Sequence, residues 1–254
     1  MILVIDIGNS DITLGLWRNA SWEHVWRIPA VAERPELFYG IKIRDLFAGA
    51  GLDHRLVERI VLSSVVPELT GKIINVTVTL IDKKPLVLGP ETYARLPIKV
   101  LNPYEIGSDL VANALAAYTR FKANCAVVDF GTALTFTTVS AQGEILGVAI
   151  APGLKTAVRA LAQNTAKLFD VPLQWPSSAM GKNTVHAIQA GVLMGYEGLV
   201  KAMLQRIRQE LKDNNLQTVA TGGLVTAIPS LAENFTAVDQ HLTLEGLRIT
   251  ALTV

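Results

Sequence analysis

LVIDIGNSDITLGL, residues 3–16, is a strand, a tight turn and a second strand, with a carboxylate where the first apolar run ends. The pattern recurs as AVVDFGTALTFTTV, residues 126–139. Asp6 aligns with Asp129 and Gly8 with Gly131, about half the chain apart. Self-similarity at such a distance points to two copies of one domain. Each copy opens on a β-hairpin whose turn carries an acid and a glycine. In the second copy SAQG (140–143) is a further turn, and EILGVAIAP (144–152) reads as a third strand.

Outward from the hairpins, helix and strand patterns alternate. Residues 37–49 carry apolar positions at helical spacing. Residues 56–69 read as a helix end and then a buried strand that stops near Pro67, and 83–89 as a short strand. SDLVANALAAYTRF (108–121) is a helix with Ser108 as N-cap candidate. Residues 154–168 are a second helix. Residues 183–211 are long and mostly helical, with Ala187, Gly191 and Gly195 four apart, a spacing that lets two helices approach closely. QTVATGGL (217–224) is a strand ending in a Gly-Gly turn, and LTLEGLRITAL (242–252) closes the chain. The class is α/β with mixed sheets flanked by helices. The expected lobes are residues 1–122 and 123–254.

Composition narrows the function. Half of the 254 residues are apolar and 18% are charged, enough for a core in each lobe. The net charge is +1 with no basic cluster, so no nucleic-acid partner is expected. No apolar run is long enough to span a membrane, and no signal peptide is evident. The single cysteine, Cys125, excludes an internal disulfide and suits the cytoplasm; it reads as a small core residue. The four histidines are scattered without metal-ligand spacing. Trp17, Trp22 and Trp26 read as a cap on the lobe.

Two Asp-x-Gly hairpins facing across a cleft, with a strand–Gly-Gly turn, suit a nucleotide. Gly8 and Gly131 let backbone N–H groups approach phosphate oxygens. An Asp at each turn can hold Mg²⁺ directly or through water. Ser10 and Thr132 offer hydroxyls, and Gly222 and Gly223 let the chain lie flat against a base or an α-phosphate. Asp109 opens the 108–121 helix, where the dipole stabilises a carboxylate. It reads either as a first-turn acid that supports the helix or as a base for a substrate hydroxyl attacking a γ-phosphate.

The chain resembles type III pantothenate kinases, in the superfamily of acetate and sugar kinases, heat-shock chaperones and actin. The matching pieces run in order: DIGNS (6–10), SSVVP (63–67), NPYEIGSD (102–109), VVDFGTALTF (127–136), GEILGVAIAPGL (143–154), TAKL (165–168), GKNTVHAIQAGVLMGYEGLV (181–200), ATGGL (220–224) and LTLEGLR (242–248). The resemblance implies two duplicated ribonuclease-H-like (actin-like ATPase) lobes, and ATP-dependent phosphorylation of pantothenate, the first step of coenzyme A synthesis. It implies a cytoplasmic homodimer, Mg²⁺ with ATP, and a monovalent cation, K⁺ or NH₄⁺. It gives Asp6, with Gly8, Asn9 and Ser10, to phosphate and Mg²⁺, and Asp129 to the monovalent cation. Thr132, Gly222 and Gly223 fall to the nucleotide. Gly107, Ser108, Asp109 and Thr184 fall to the acceptor, with Asp109 as general base.

Three positions depart from the family pattern. Leu110 stands where a basic residue usually follows the catalytic Asp, Val100 where a Tyr usually precedes Asn-Pro, and GNSDI (8–12) puts Asp11 in the first turn. Tyr104, Asn102 and Lys182 are candidates to replace the lost contacts. Arg159 and Lys167 read as a solvated helix face or as a border of the pocket. Three readings follow: a pantothenate kinase, a kinase of this fold for another hydroxyl substrate, or a non-catalytic nucleotide-binding paralogue.

Overall fold

A computed structural model describes residues 1–254. The chain divides into two compact units, Met1–Ala116 with Leu242–Val254, and Ala117–His241. The expected boundary at 122/123 thus differs in two ways. The division falls inside a helix, α4 (Ser108–Phe121), and the last helix, α8 (Leu242–Thr253), belongs to the first unit.

The first unit opens with β1 (Ile2–Ile7), β2 (Asp11–Arg18) and β3 (Ser21–Pro29), an antiparallel meander. Helix α1 (Glu36–Gly49) leads to β4 (Arg59–Ser64), parallel to β1. Then come α2 (Pro67–Ile81), β5 (Leu86–Val87) and the short α3 (Pro90–Tyr93). The sheet order is β3-β2-β1-β4-β5. Alternation along β1 sends Leu3, Ile5 and Ile7 to a core shared with Tyr39, Ile43 and Phe47 of α1 and Leu69 and Ile73 of α2. Each of these fully buried side chains contributes about 1.5–3 kcal/mol. Val4 and Asp6 point to the opposite face. There a side chain on Gly15 would meet both Val4 and Leu244, which locates α8 on that face.

The second unit repeats the plan: β6 (Cys125–Phe130), β7 (Ala133–Val139), β8 (Ile145–Pro152), α5 (Leu154–Asn164), α6 (Thr184–Gln189), α7 (Gly195–Leu211), β9 (Gln217–Thr221) and β10 (Ala237–Val238). Its sheet runs β10-β9-β6-β7-β8, the first order reversed in listing and equivalent strand for strand. In both units the first two pairings are antiparallel and the next is parallel. A π-helical turn, Ala190–Met194, joins α6 to α7, so the expected 183–211 helix is one rod with a bulge. Cys125 is buried and its thiol is pushed up to about 11 by that burial, so it is a core residue. Trp17 and Trp22 stack edge to face at 5.1 Å on the first unit, and Arg248 of α8 sits 4.5 Å over Trp17.

Candidate active site

In the first unit the site begins at the turn after β1. Gly8 N–H donates to Asp11 O at 3.0 Å and closes the hairpin. Asn9, Ser10 and Asp11 are exposed on it, and Asp6 is half-buried just before it. Register puts Thr13 of β2 and Ser63 of β4 on either side of Asp6, on the same sheet face. Ser63 then reaches another element: its Oγ lies 2.9 Å from Ser108 Oγ, and Ser108 Oγ also accepts the Ser64 N–H at 3.1 Å. This buried hydroxyl pair ties the start of α4 to the strand beside Asp6.

Asp109 follows at once. Its Oδ1 accepts the Leu110 N–H at 2.9 Å, and its carboxylate folds back over Gly107, where a Cβ would stand 2.4 Å from that oxygen. Burial pushes the Asp109 carboxyl above the usual carboxylate range, against the lowering effect of the Leu110 and Asp109 backbone N–H groups. Tyr93 at the end of α3 is pushed up to about 12, first by burial and then by the Asp109 charge. It therefore stays a neutral phenol near the acid. Helix α4 is seated by α8: a Cβ on Gly246 would fall 2.0 Å from Ala112 O, and Thr243 Oγ1 donates to Asn113 Oδ1 at 2.8 Å.

The second unit repeats the hairpin with one residue fewer in the turn. Gly131 N–H donates to Ala133 O at 3.1 Å. Thr135 of β7 and Thr221 of β9 flank Asp129 as Thr13 and Ser63 flank Asp6. The Asp129 carboxylate lies in a glycine cradle: a Cβ on Gly222 would come 2.5 Å from its Oδ1, and one on Gly131 3.5 Å. Gly222 has φ +96°, a backbone that favours glycine, and Leu224 N–H bonds Phe130 O at 3.3 Å, so the Gly222–Gly223 turn wraps the end of β6. Exposed Thr132 is held from behind, since its O accepts Gly153 N–H at 3.0 Å and Thr156 Oγ1 at 2.7 Å. A Cβ on Gly153 would strike the Gly131 and Thr132 backbone, so α5 is pressed onto the turn.

Thr184 stands apart from this cradle, exposed at the start of α6, where two open cavities of about 760 and 510 Å³ adjoin it. Of the departures, Leu110 is a core side chain, Val100 is half-buried and Asp11 is exposed. Sequence reasoning missed Ser63, Tyr93, Thr135 and Gly153. SSVVP and APGL contain Ser63 and Gly153, but nothing local to Tyr93 marks it.

No group of three or more His, Cys, Asp or Glu side chains could cage a metal. At the first turn the donors are a single carboxylate, Asp6, flanked by the hydroxyl residues Thr13 and Ser63, an oxygen set of the kind that fits Mg²⁺ when water and phosphate oxygens complete its shell. Around Asp129 the donors are all oxygen, a carboxylate flanked by two threonines, which fits a hard monovalent cation.

The duplicated sheets define an actin-like ATPase fold. Solved structures share it: MreB 5 of Spiroplasma citri bound to AMPPNP (TM-score 0.54, 8% identity, 99% of this chain and 96% of that chain). Another is the inorganic polyphosphate/ATP-glucomannokinase of Arthrobacter sp. (TM-score 0.53, 13% identity, 100% of this chain and 99% of that one). The family model for type III pantothenate kinase matches residues 2–206. A type III pantothenate kinase of Anaeromyxobacter sp. is 45% identical over 98% of both chains, and one of Geobacter sulfurreducens 41% over 98% of this chain and 97% of its own. This chain belongs to the type III pantothenate kinase family.

Proposed function

We propose that this chain transfers the γ-phosphoryl group of ATP to the primary hydroxyl of pantothenate, the first step of coenzyme A synthesis, with Asp109 as general base. One observation carries the catalytic assignment: Asp109 is a carboxylate made more basic by burial and held over Gly107 at the start of α4. The acceptor oxygen attacks the γ-phosphorus as its proton passes to the Asp109 carboxylate. The bond from that phosphorus to the β–γ bridging oxygen breaks, and ADP leaves. The Ser63–Ser108 pair fixes the helix start so that the carboxylate meets the hydroxyl in one orientation.

Asp6 would hold Mg²⁺, which when bound neutralises charge on the phosphate oxygens. Gly8, Asn9 and Ser10 present the first turn to phosphate, and Thr132, Gly222 and Gly223 present the second unit's surface to the nucleotide. Asp129 would hold K⁺ or NH₄⁺. Gly107, Ser108 and Thr184 contact the acceptor. A homodimer is supported by the exposed Leu146, Val148 and Ile150 of edge strand β8 and by the exposed small residues Ala187, Gly191 and Gly195. A cytoplasmic place fits a chain without a helix long and apolar enough to cross a membrane, and the near-neutral charge fits no nucleic-acid partner.

A second reading, an acceptor lacking the carboxylate, rests on Leu110, which is 7% exposed and offers no charge beside Asp109. Asp6→Asn tests the metal assignment: it should abolish ATP-dependent turnover while leaving the circular dichroism spectrum intact. Full activity in that variant would remove Asp6 from the site.

A further inference from the structure

Helix α4 buries an apolar stretch, and one side chain in it is unlike its neighbours. Val111, Ala112, Ala114 and Leu115 are fully buried, and so is Asn113, an amide among them. Burying an amide carries a desolvation cost that an apolar residue of similar size would not. Asn113 lies four residues after Asp109, so the two side chains stand on one face of α4, a turn apart. Side chains in a helix lean toward its N-terminus, which aims the Asn113 amide toward the turn that carries the base.

That face meets α8. Thr243 Oγ1 donates to Asn113 Oδ1 at 2.8 Å, and beside it a Cβ on Gly246 would fall 2.0 Å from Ala112 O. The glycine sets how closely the two helices approach. The side-chain bond is directional and sets how α4 is turned about its own axis. Helix α8 is also anchored without that bond: Arg59 Nη1 donates to Ala251 O and Arg95 Nη2 to Val254 O, both at its far end. All of these residues belong to the first unit.

We infer that Asn113 and Thr243 are positioning residues for phosphoryl transfer: their buried hydrogen bond sets the rotation of α4 and with it the direction in which the Asp109 carboxylate points. The inference rests on the proposed function, with Asp109 as base. A misplacement of about 1 Å costs about a hundredfold in rate, so a released helix that moves the carboxylate about half as far loses about tenfold. The bond is made to the helix of the base and not to the nucleotide turns, so its loss belongs in kcat and not in the KM for ATP.

The experiment measures steady-state ADP release by the full chain with ATP, Mg²⁺ and pantothenate, together with thermal melts. Thr243→Val keeps the shape of the side chain and removes the donor. It should lower kcat about tenfold and leave the KM for ATP within a factor of about two. Thr243→Ser restores the hydroxyl and should keep most of kcat. Thr250→Val is the control for a lost buried hydroxyl on the same helix, since Thr250 Oγ1 donates to Gly246 O at 2.9 Å within α8 itself; it should lower Tm while leaving kcat unchanged. A kcat for Thr243→Val within a factor of about two of wild type overturns the inference. So does a Thr243→Ser variant as slow as Thr243→Val, or an equal loss of kcat in Thr250→Val, which would make the effect one of general stability. No turnover by the wild type, or full turnover by Asp109→Asn, would instead overturn the proposed function, a separate outcome.

Discussion

Gly107→Ala is the sharpest perturbation of the base. The added Cβ would stand 2.4 Å from Asp109 Oδ1 and 3.5 Å from Val65 Cγ1. The second distance is an ordinary contact and the first is not. Ordinary contact begins near 3.4 Å, so the carboxylate oxygen must retreat by about 1 Å, a displacement that costs about a hundredfold in a well-placed reaction. That retreat also strains the 2.9 Å bond from Leu110 N–H, which holds the side chain in place. Gly107 does not lie at positive φ, so alanine strains no backbone and tends to stabilise by reducing unfolded-state freedom. The expected result is a kcat for pantothenate lowered about a hundredfold, with the KM for ATP and the Tm little altered. Rapid ADP-release kinetics and a thermal melt measure both. A kcat within a factor of about two of wild type would refute the argument that the carboxylate's position over Gly107 governs the rate.

Four further outcomes follow from the same geometry. Because burial raises the Asp109 pKa, the acidic limb of kcat should titrate above the usual carboxylate range, and Asp109→Asn should remove kcat itself; a limb at or below that range contradicts the assignment. The stability sign is the reverse of an ordinary ion pair: a carboxyl with raised pKa adds no penalty below its unfolded value and disfavours the fold as pH rises through its folded value. Asp109→Asn should therefore raise Tm at neutral pH, with the gain disappearing in acid, as melts across pH would read. Gly246→Ala places a Cβ 2.0 Å from Ala112 O and should cost about 1–3 kcal/mol in denaturant unfolding, so an unaltered midpoint would contradict the tight α8–α4 contact. Gly222→Ala, with φ +96° and a Cβ 2.5 Å from Asp129 Oδ1, should raise the KM for ATP well beyond that for pantothenate; equal changes would remove this turn from the nucleotide.

The duplication was legible because each hairpin repeats a strand, an acid and a glycine, and the two sheet orders are equivalent. Its detail was not. The first turn holds one residue more than the second, so the partner of Thr13 is Thr135, whereas an ungapped alignment pairs Thr13 with Phe136. Helix α2, PELTGKIINVTVTLI, was invisible to a reading by propensity: its β-branched residues favour strand, and burial of Leu69, Ile73, Val76 and Ile81 against the sheet overrides that preference. LTLEGLR read as a closing segment of the second lobe, yet Leu242, Leu244 and Leu247 are buried in the first unit. Nothing local announces such a return, because the contact at Gly246 is with Ala112, far back in the sequence. Among candidate site residues, Asp6, Asp109 and Asp129 stood out by motif. Tyr93 did not, since its relation to Asp109 exists only once α3 and α4 are folded.

The central claim is that this chain phosphorylates pantothenate through Asp109. The most direct measurement is ADP release by the purified full chain with ATP and Mg²⁺, with and without pantothenate, and with the product identified by mass spectrometry. The account expects ADP to appear in step with 4′-phosphopantothenate, and both to be lost in Asp109→Asn while the fold persists. ADP release indifferent to pantothenate, or phosphopantothenate formed at wild-type rate by Asp109→Asn, would contradict it.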